Sequence, residues 1–530
     1  MNKVHILDCT LRDGGYCNQW NFGFDNEKKI TSSLVEAGID IIECGFLTEK
    51  TQYDSDHTKY NTVDEIAKVI PENRHGKIFV AMMNYGEYDL DHLPEYDGSS
   101  IDGIRVAFHK KDIKEAFEVC RKVKEKGYLC FMQAMVSLSY TDEEFLSLIR
   151  RSNELKPYAF YIVDSFGVMK RKDLVRLFYM IEHDLDDDIR IGFHSHNNMQ
   201  LAYSNAQTLV DMQTTRDLII DSSIYGMGRG AGNLNTELFV EYLNDNIEAD
   251  YNVKPLLNVI DEILEPFHQQ HYWGYSLPNY LSAKYNTHPN YAGYFADKNT
   301  LTVHDMDEIF EIMDDSKRNE FDKKYAEDVY LKYLSTGNVQ EQHLSDLKKL
   351  ITGKKILIIA PGKSSSVEKD KVVDFMRQDD VLSFSINYDY PYADTDFIFL
   401  SNLRRFKELD PSKKEKCVVT SNVPADSVYL QTKYSDLLND HDMVQDNAGM
   451  MSIKFLSGLG ANEFYLAGMD GYSHDVNENY GNDRMTFVAR NAVLDEMNRG
   501  MQEVLKEYSK TLTIKFLTTP KFIEPENIEA

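Results

Sequence analysis

The stretch IRIGFHSHNNMQLA, residues 189–202, places His194 and His196 on either side of one serine, directly after an apolar run. Strand side chains alternate faces, so residues i and i+2 point the same way and both imidazoles can reach one point. Two imidazoles converging at a strand end suit a metal ion. The same pair taken alone reads as two surface or core histidines. Its place in the chain decides, because the reacting groups of a parallel (β/α)8 barrel sit at the C-terminal ends of the strands.

Outward from this pair, β-rich runs alternate with amphipathic segments. Strands are expected at HILDCT (5–10), DIIECGF (40–46), KIFVAMM (77–83), GIRVAF (103–108), YLCFMQA (128–134), AFYIVD (159–164), IRIGFHSH (189–196) and DLIIDSSI (217–224). Segments such as DIKEAFEVCRKVKEKG between them carry apolar residues at helical spacing. Eight such units in about 240 residues match a TIM barrel in size and count. A doubly wound sheet would not keep eight regular units without a break.

The rhythm stops between about 245 and 345, where VKPLLNVIDEILEPFHQQHYWGYSLPNYLSAKYN and the charged DDSKRNEFDKKYAEDVYLKYL read as helical. STGNVQ and ITGKK then punctuate, and a second α/β pattern opens with KKILIIAPGKSSS (354–366), followed by DVLSFSIN, TDFIFLSN, KCVVTSN and EFYLAGMDGYS. The expected fold class is α/β: an N-terminal TIM (β/α)8 barrel over 1–245, a helical extension over 246–350 closing the barrel site, and a Rossmann-like α/β domain over 351–530.

Composition narrows the functions. Lys plus Arg total 58 against 86 Asp plus Glu, a formal charge of −28, which argues against non-specific nucleic-acid or anionic-membrane binding. No run approaches the roughly 18 apolar residues a membrane helix needs. The N-terminal MNKVHILDCTLRDGG shows neither a basic leader nor an apolar signal core, and the six cysteines (9, 17, 44, 120, 130, 417) include no Cys-x-x-Cys, so a cytoplasmic, reduced protein is expected.

The chemically useful residues fall at the expected strand ends. Arg12 and Asp13 follow the first, Glu43 ends the second, Gln133 the fifth, Asp164 and Ser165 close the sixth, His194 and His196 the seventh, and GMGRGAGNLNTE (226–237), with Asn233, follows the eighth. One aspartate and two imidazoles suit a hard or borderline divalent ion with open positions for substrate.

Together, LDCTLRDGG, IIECGF, DSFG, GFHSHNNMQLAYSNA and GAGNLNTE, in this order and spacing, resemble the DRE-TIM metallolyase superfamily of HMG-CoA lyase, isopropylmalate synthase and 4-hydroxy-2-oxovalerate aldolase. WGYSLPNYLSAKYN (273–286) is similar to the helical region closing the site in the last of these. The resemblance implies a metal-dependent aldolase acting through a pyruvate-type enolate, on a small-molecule 2-oxo acid and an aldehyde, as a homo-oligomer. It makes Asp13, His194 and His196 ligands of Mn2+ or Mg2+, with Asn233 supporting the shell or ligating. Glu43 supports the same shell, and Arg12 is the enolate-stabilising cation.

One position departs from the family. Where the hydroxy-oxovalerate aldolases carry an acid/base histidine, this chain reads RDGGYC and has Tyr16. Tyrosine, with an ordinary pKa near 10, is a poor base at neutral pH. The acid/base is therefore Tyr16, Tyr275, a metal-bound water, or a histidine brought in by a loop, such as His57 or His109. Gln133, Asp164 and Ser165 are the expected substrate contacts. An acyl-CoA-dependent Claisen-type condensation is the alternative reaction.

In the second pattern LIIAPGKSSS is neither G-x-G-x-x-G nor a full P-loop, yet its glycine and serines offer backbone N–H groups to an anion. IAPGKSSS, FSIN and 447–473 resemble the Rossmann-like domains of some bacterial sialyltransferase-like and pterin-pyrophosphokinase-like proteins. That resemblance implies a nucleotide or nucleotide sugar, with a place in surface-polysaccharide metabolism, and a transferase or binding role beside a scaffold barrel as a rival to the aldolase. A docking or oligomerisation domain is the plainer alternative.

Overall fold

A computed structural model describes residues 3–525 apart from 299–300, 335–340, 424–426, 482–484, 486, 488 and 490. The punctuation STGNVQ at 335–340 lies outside the described residues. Two compact units are formed, Met1–Gly293 with Asp314–Phe321, and Tyr294–Met313 with Asp322–Ala530.

In the first unit eight parallel strands close into a barrel: β1 (Val4–Asp8), β2 (Ile41–Leu47), β3 (Ile78–Asn84), β4 (Gly103–Phe108), β5 (Leu129–Ala134), β6 (Ala159–Asp164), β7 (Arg190–Ser195) and β8 (Leu218–Ser222). Closure is made by β1, which pairs with β8 through Val4↔Leu218 and with β2 through Leu7↔Ile41. The strands read as unbroken apolar runs because helices cover the outside and side chains fill the inside. The helix Asp142–Leu155 shows how the covering layer forms. Thr141 and Glu144 make a reciprocal capping box at its start, and Phe145, Leu148, Ile149 and Ser152 face inward at helical spacing. Burying each of the large apolar side chains contributes about 1.5–3 kcal/mol, so Phe145→Ala would open the helix–barrel seam.

Inside the barrel the even strands contribute one layer, Glu43 of β2, Arg105 of β4, Tyr161 of β6 and Asp221 of β8, each at most 1% exposed. Gly192 of β7 makes room for it, since a Cβ there would lie 2.3 Å from the Tyr161 ring. An apolar floor of Leu7, Ile41, Val80, Phe131, Ala159 and Ile219 lies within the same interior.

The second unit holds seven parallel strands: β9 (Lys355–Ile359), β10 (Val381–Ile386), β11 (Phe397–Leu400), β12 (Cys417–Thr420), β13 (Leu430–Thr432), β14 (Glu463–Ala467) and β15 (Thr513–Phe516), in the order 13-12-11-10-9-14-15. The chain order reverses at β9, which lies between β10 and β14.

The expected strands form, with small shifts at their ends. β1 stops at Asp8 because Thr10–Asp13 curl into a helical turn, which lifts Arg12 and Asp13 over the barrel mouth. LQT of β13 and TIKF of β15 are too short and, in β15, too exposed to stand out as buried runs. The helical stretch expected at 246–350 as one extension is divided between the units. Tyr291 packs on Phe321 and donates to the Lys317 and Glu320 carbonyls in the first, while Phe295 packs on Phe310 in the second. Among the described residues no helix is long and apolar enough to cross a membrane.

Candidate active site

Asp13, His194 and His196 come together at the C-terminal mouth of the barrel, all buried, with one potential ligand atom from each within 4.8 Å of the others. His194 is the penultimate residue of β7, while His196 lies one residue past the strand, where a bridge to Asn233 fixes its backbone. The two rings are 5.1 Å apart and nearly perpendicular. His194 Nδ1 is 3.0 Å from Asp221 Oδ2, which leaves Nε2 for a metal ion. His196 Nδ1 is buried without a hydrogen-bond partner, 3.7 Å from Asp13 Oδ2. Asn233 Nδ2 donates to Asp13 Oδ2 at 2.8 Å, and its Oδ1 is buried and unpartnered.

These orphaned atoms fit a cation. Burial drives the His196 pKa down to about 3, against Asp13, so the ring is neutral as a ligand must be. Burial also opposes ionisation of Asp13, but Arg12, then His196, His194 and Arg229, hold its carboxyl well below the usual range. An anionic oxygen and two neutral imidazoles are what a borderline divalent ion requires.

A charged relay lies beneath. Arg12 Nε donates to Glu43 Oε2 at 2.9 Å and its Nη1 to Asp13, while Nη2 is buried with no partner. Arg105 Nη1 donates to the same Glu43 oxygen at 2.7 Å, its Nη2 to Asp221, and its guanidinium carbon lies 5.0 Å from the Tyr161 ring centroid. The path Arg12–Glu43–Arg105–Asp221–His194 thus ties a cation at the mouth to a candidate metal ligand. A further staple holds the loops: Thr236 Oγ1 donates to Asp8 at 2.7 Å, and Ile224 N donates to Thr10 Oγ1 at 2.8 Å.

The other expected residues separate. Tyr16 stands at the mouth, 40% exposed, against Trp20 and Phe46, and its pKa is raised by partial burial although Arg229 works the other way. Gln133 is buried on β5 with Nε2 unpartnered. The Asp164 carboxylate is spent on the amides of Val168 and Met169, at 2.9 and 3.0 Å, and burial pushes its pKa up to about 7. Ser165 Oγ accepts from Val136 N at 2.9 Å. Tyr275 is 49% exposed and its carbonyl accepts from the Tyr272 hydroxyl. His57 lies beside Asp54, and His109 follows β4, half-buried.

Arg105, Asp221 and Arg229 escaped the sequence reading. The signal was present: a charged residue inside the otherwise apolar runs GIRVAF and LIIDS faces the barrel interior or breaks the strand.

A model of the family described as HMGL-like matches residues 3–263. The 4-hydroxy-2-oxovalerate aldolase of Pseudoalteromonas translucida (strain TAC 125) is 25% identical over 272 residues, 51% of this chain and 78% of the relative. That of Geobacillus genomosp. 3 is 27% identical over 269 residues, 50% and 77% of the two chains. Among solved structures, the HMG-CoA lyase of Brucella melitensis aligns with a TM-score of 0.41 at 15% identity, covering 51% of this chain and 98% of that one.

Proposed function

We propose that the HMGL-like barrel is a divalent-metal-dependent aldolase that makes or breaks a carbon–carbon bond through the enolate of a pyruvate-type 2-oxo acid. The buried Asp13–His194–His196 cluster beside the unpartnered Arg12 Nη2 carries this reading. With Mn2+ or Mg2+ held by Asp13, His194 and His196, and Asn233 Oδ1 as a further donor, the ion would supply Lewis-acid polarisation of the 2-oxo acid carbonyl.

The protein groups supply the rest. Arg12 is fixed by Glu43 and Asp13, so its free Nη2 meets the charge developing on the keto oxygen without reorganising. Gln133 Nε2 offers a second donor to a bound oxygen. Tyr16 keeps its proton at neutral pH and so donates to an alkoxide rather than abstracting from carbon. Trp20, Phe46, Met82, Ala107 and Met135 form an apolar wall that excludes water from the enolate.

Proton NMR of pyruvate in D2O with catalytic Mn2+ tests this. Metal-dependent loss of the methyl signal in the wild type, absent in His194→Ala/His196→Ala, is expected. No exchange in either protein would sink the reading.

For residues 351–530 the reversal of strand order at β9 favours a ligand crevice at the C-terminal strand ends. A nucleotide or nucleotide sugar, in surface-polysaccharide metabolism, is the class we assign to it, and calorimetric titration of the full chain with uridine and cytidine diphosphate sugars checks it. Flat titrations would reject it.

A further inference from the structure

The barrel mouth holds a second arginine whose guanidinium no carboxylate among the described residues pairs with, although its charge helps keep Asp13 ionised. Arg229 sits on the loop after β8, and its position is fixed from both sides. A Cβ at Gly228 would lie 2.8 Å from Asp13 Oδ2, and one at Gly230 would lie 2.7 Å from Asn198 Oδ1. Only bare backbone lets this loop close on the metal-binding carboxylate, and Arg229 N does so, 3.3 Å from Asp13 Oδ2. Ala231 N adds a bond to Asn198 Oδ1 at 2.8 Å.

The side chain is equally constrained. Its Nη2 donates to the Ser165 carbonyl at 3.0 Å, across the mouth at the end of β6, and its guanidinium carbon lies 5.3 Å from the Tyr16 ring centroid. Its Nε is buried with no hydrogen-bond partner, and no carboxylate among the described residues pairs with it. The contrast with its neighbours is informative. Arg12 is neutralised by Glu43 and Asp13, and Arg105 by Glu43 and Asp221. In a chain with a formal charge of −28, a rigid, part-buried guanidinium left without a directly paired carboxylate is a cost that folding alone does not repay. Lys110 and Lys111 nearby are taken by Glu144 and Glu320. His109 and His288, which feel the Arg229 charge, are kept neutral first by burial.

We propose that Arg229 grips a second anionic group on the substrate, so that the aldehyde partner of this aldolase carries a carboxylate or a phosphate. This rests on the aldolase reading. In the synthetic direction pyruvate C3 loses a proton, its new bond forms to the aldehyde carbon, and the former aldehyde oxygen takes up a proton, with no net oxidation. The anion at the far end of the aldehyde meets Arg229, whose planar fork matches either oxyanion.

The experiment compares propionaldehyde, succinic semialdehyde and glycolaldehyde phosphate as acceptors with pyruvate and Mn2+, alongside pyruvate methyl exchange. Succinic semialdehyde or glycolaldehyde phosphate should exceed propionaldehyde by about 10²-fold in kcat/KM, and the better of the two identifies the oxyanion. Arg229→Met should collapse that ratio to near unity through the KM of the anionic acceptor, and Arg229→Lys should restore part of it. Methyl exchange with no discrimination between acceptors overturns the anion proposal and leaves the aldolase standing. A rise in KM confined to pyruvate moves Arg229 to the donor side and overturns it too. Absence of exchange overturns both.

Discussion

The loop ends of the two sheets treat their polar groups differently. At the barrel mouth Arg12 Nη2, Gln133 Nε2, His196 Nδ1, Arg229 Nε and Asn233 Oδ1 are buried and unpartnered. Beyond β9 and β14 the groups are spent on one another. Asp470 accepts from Ser364 N at 2.7 Å and from its hydroxyl, Thr518 Oγ1 meets Ser364 Oγ at 2.7 Å, and Gly468 N donates to Thr518 Oγ1 at 2.9 Å. Ser401 Oγ, just past β11, is buried without a partner. Since a buried unsatisfied group costs about 1–3 kcal/mol, a cluster of them marks a place built for something the protein must bind, whereas the satisfied network beyond β9 fixes the loops that would frame a ligand there.

Breaking the metal cluster gives the largest effect. The His194→Ala/His196→Ala pair should lose Mn2+ affinity by at least about 10³-fold, read by electron paramagnetic resonance of free Mn2+, because two of the three proposed ligands go. Wild-type affinity in that pair would remove the barrel side of the comparison.

Arg105→Met comes next. It takes a buried guanidinium from Glu43, which keeps only Arg12, and from Asp221, which keeps only His194, and denaturant unfolding should show a loss of about 3–5 kcal/mol. A loss below about 1 kcal/mol would mean that the relay does not hold the layer.

Asp164 sharpens the contrast within the barrel, since its carboxylate is bonded yet unfavourably buried. Its folded pKa, about 7, lies above the unfolded value of 3.8, so its contribution is full below the unfolded value and is lost as pH rises through about 7. Asp164→Asn should therefore gain about 2 kcal/mol relative to wild type between pH 5 and pH 8 in paired urea melts. A pH-independent difference would show that burial does not perturb this group.

The smallest effect is expected in the second sheet. Asp470→Ala should cost about 1–2 kcal/mol by leaving Ser364 unanswered, with Mn2+ affinity at the wild-type value. A fall in metal affinity would break the distinction between the two sets of loops.

Much of the barrel was legible because parallel strands buried on both faces leave continuous apolar runs, and GIRVAF and AFYIVD appear as strands with the expected ends. Asp13, His194, His196, Glu43 and Asn233 were legible because strand alternation and position at strand ends are one-dimensional properties. Asp164 was not, since the DSFG sequence carries no sign that its carboxylate would turn onto the Val168 and Met169 amides.

The sequence by itself determined the eight-fold rhythm, the second α/β pattern and the donors of the candidate metal site, because periodicity and residue type are local. Tertiary structure alone decided that Arg105 is answered by Glu43 and Asp221, that no carboxylate among the described residues pairs with the Arg229 guanidinium above Tyr16, and that the helices after 246 divide between two units. Ion pairing and packing join residues tens to hundreds of positions apart, as Arg105 and Asp221 are by 116, and only closure of the barrel brings them within reach.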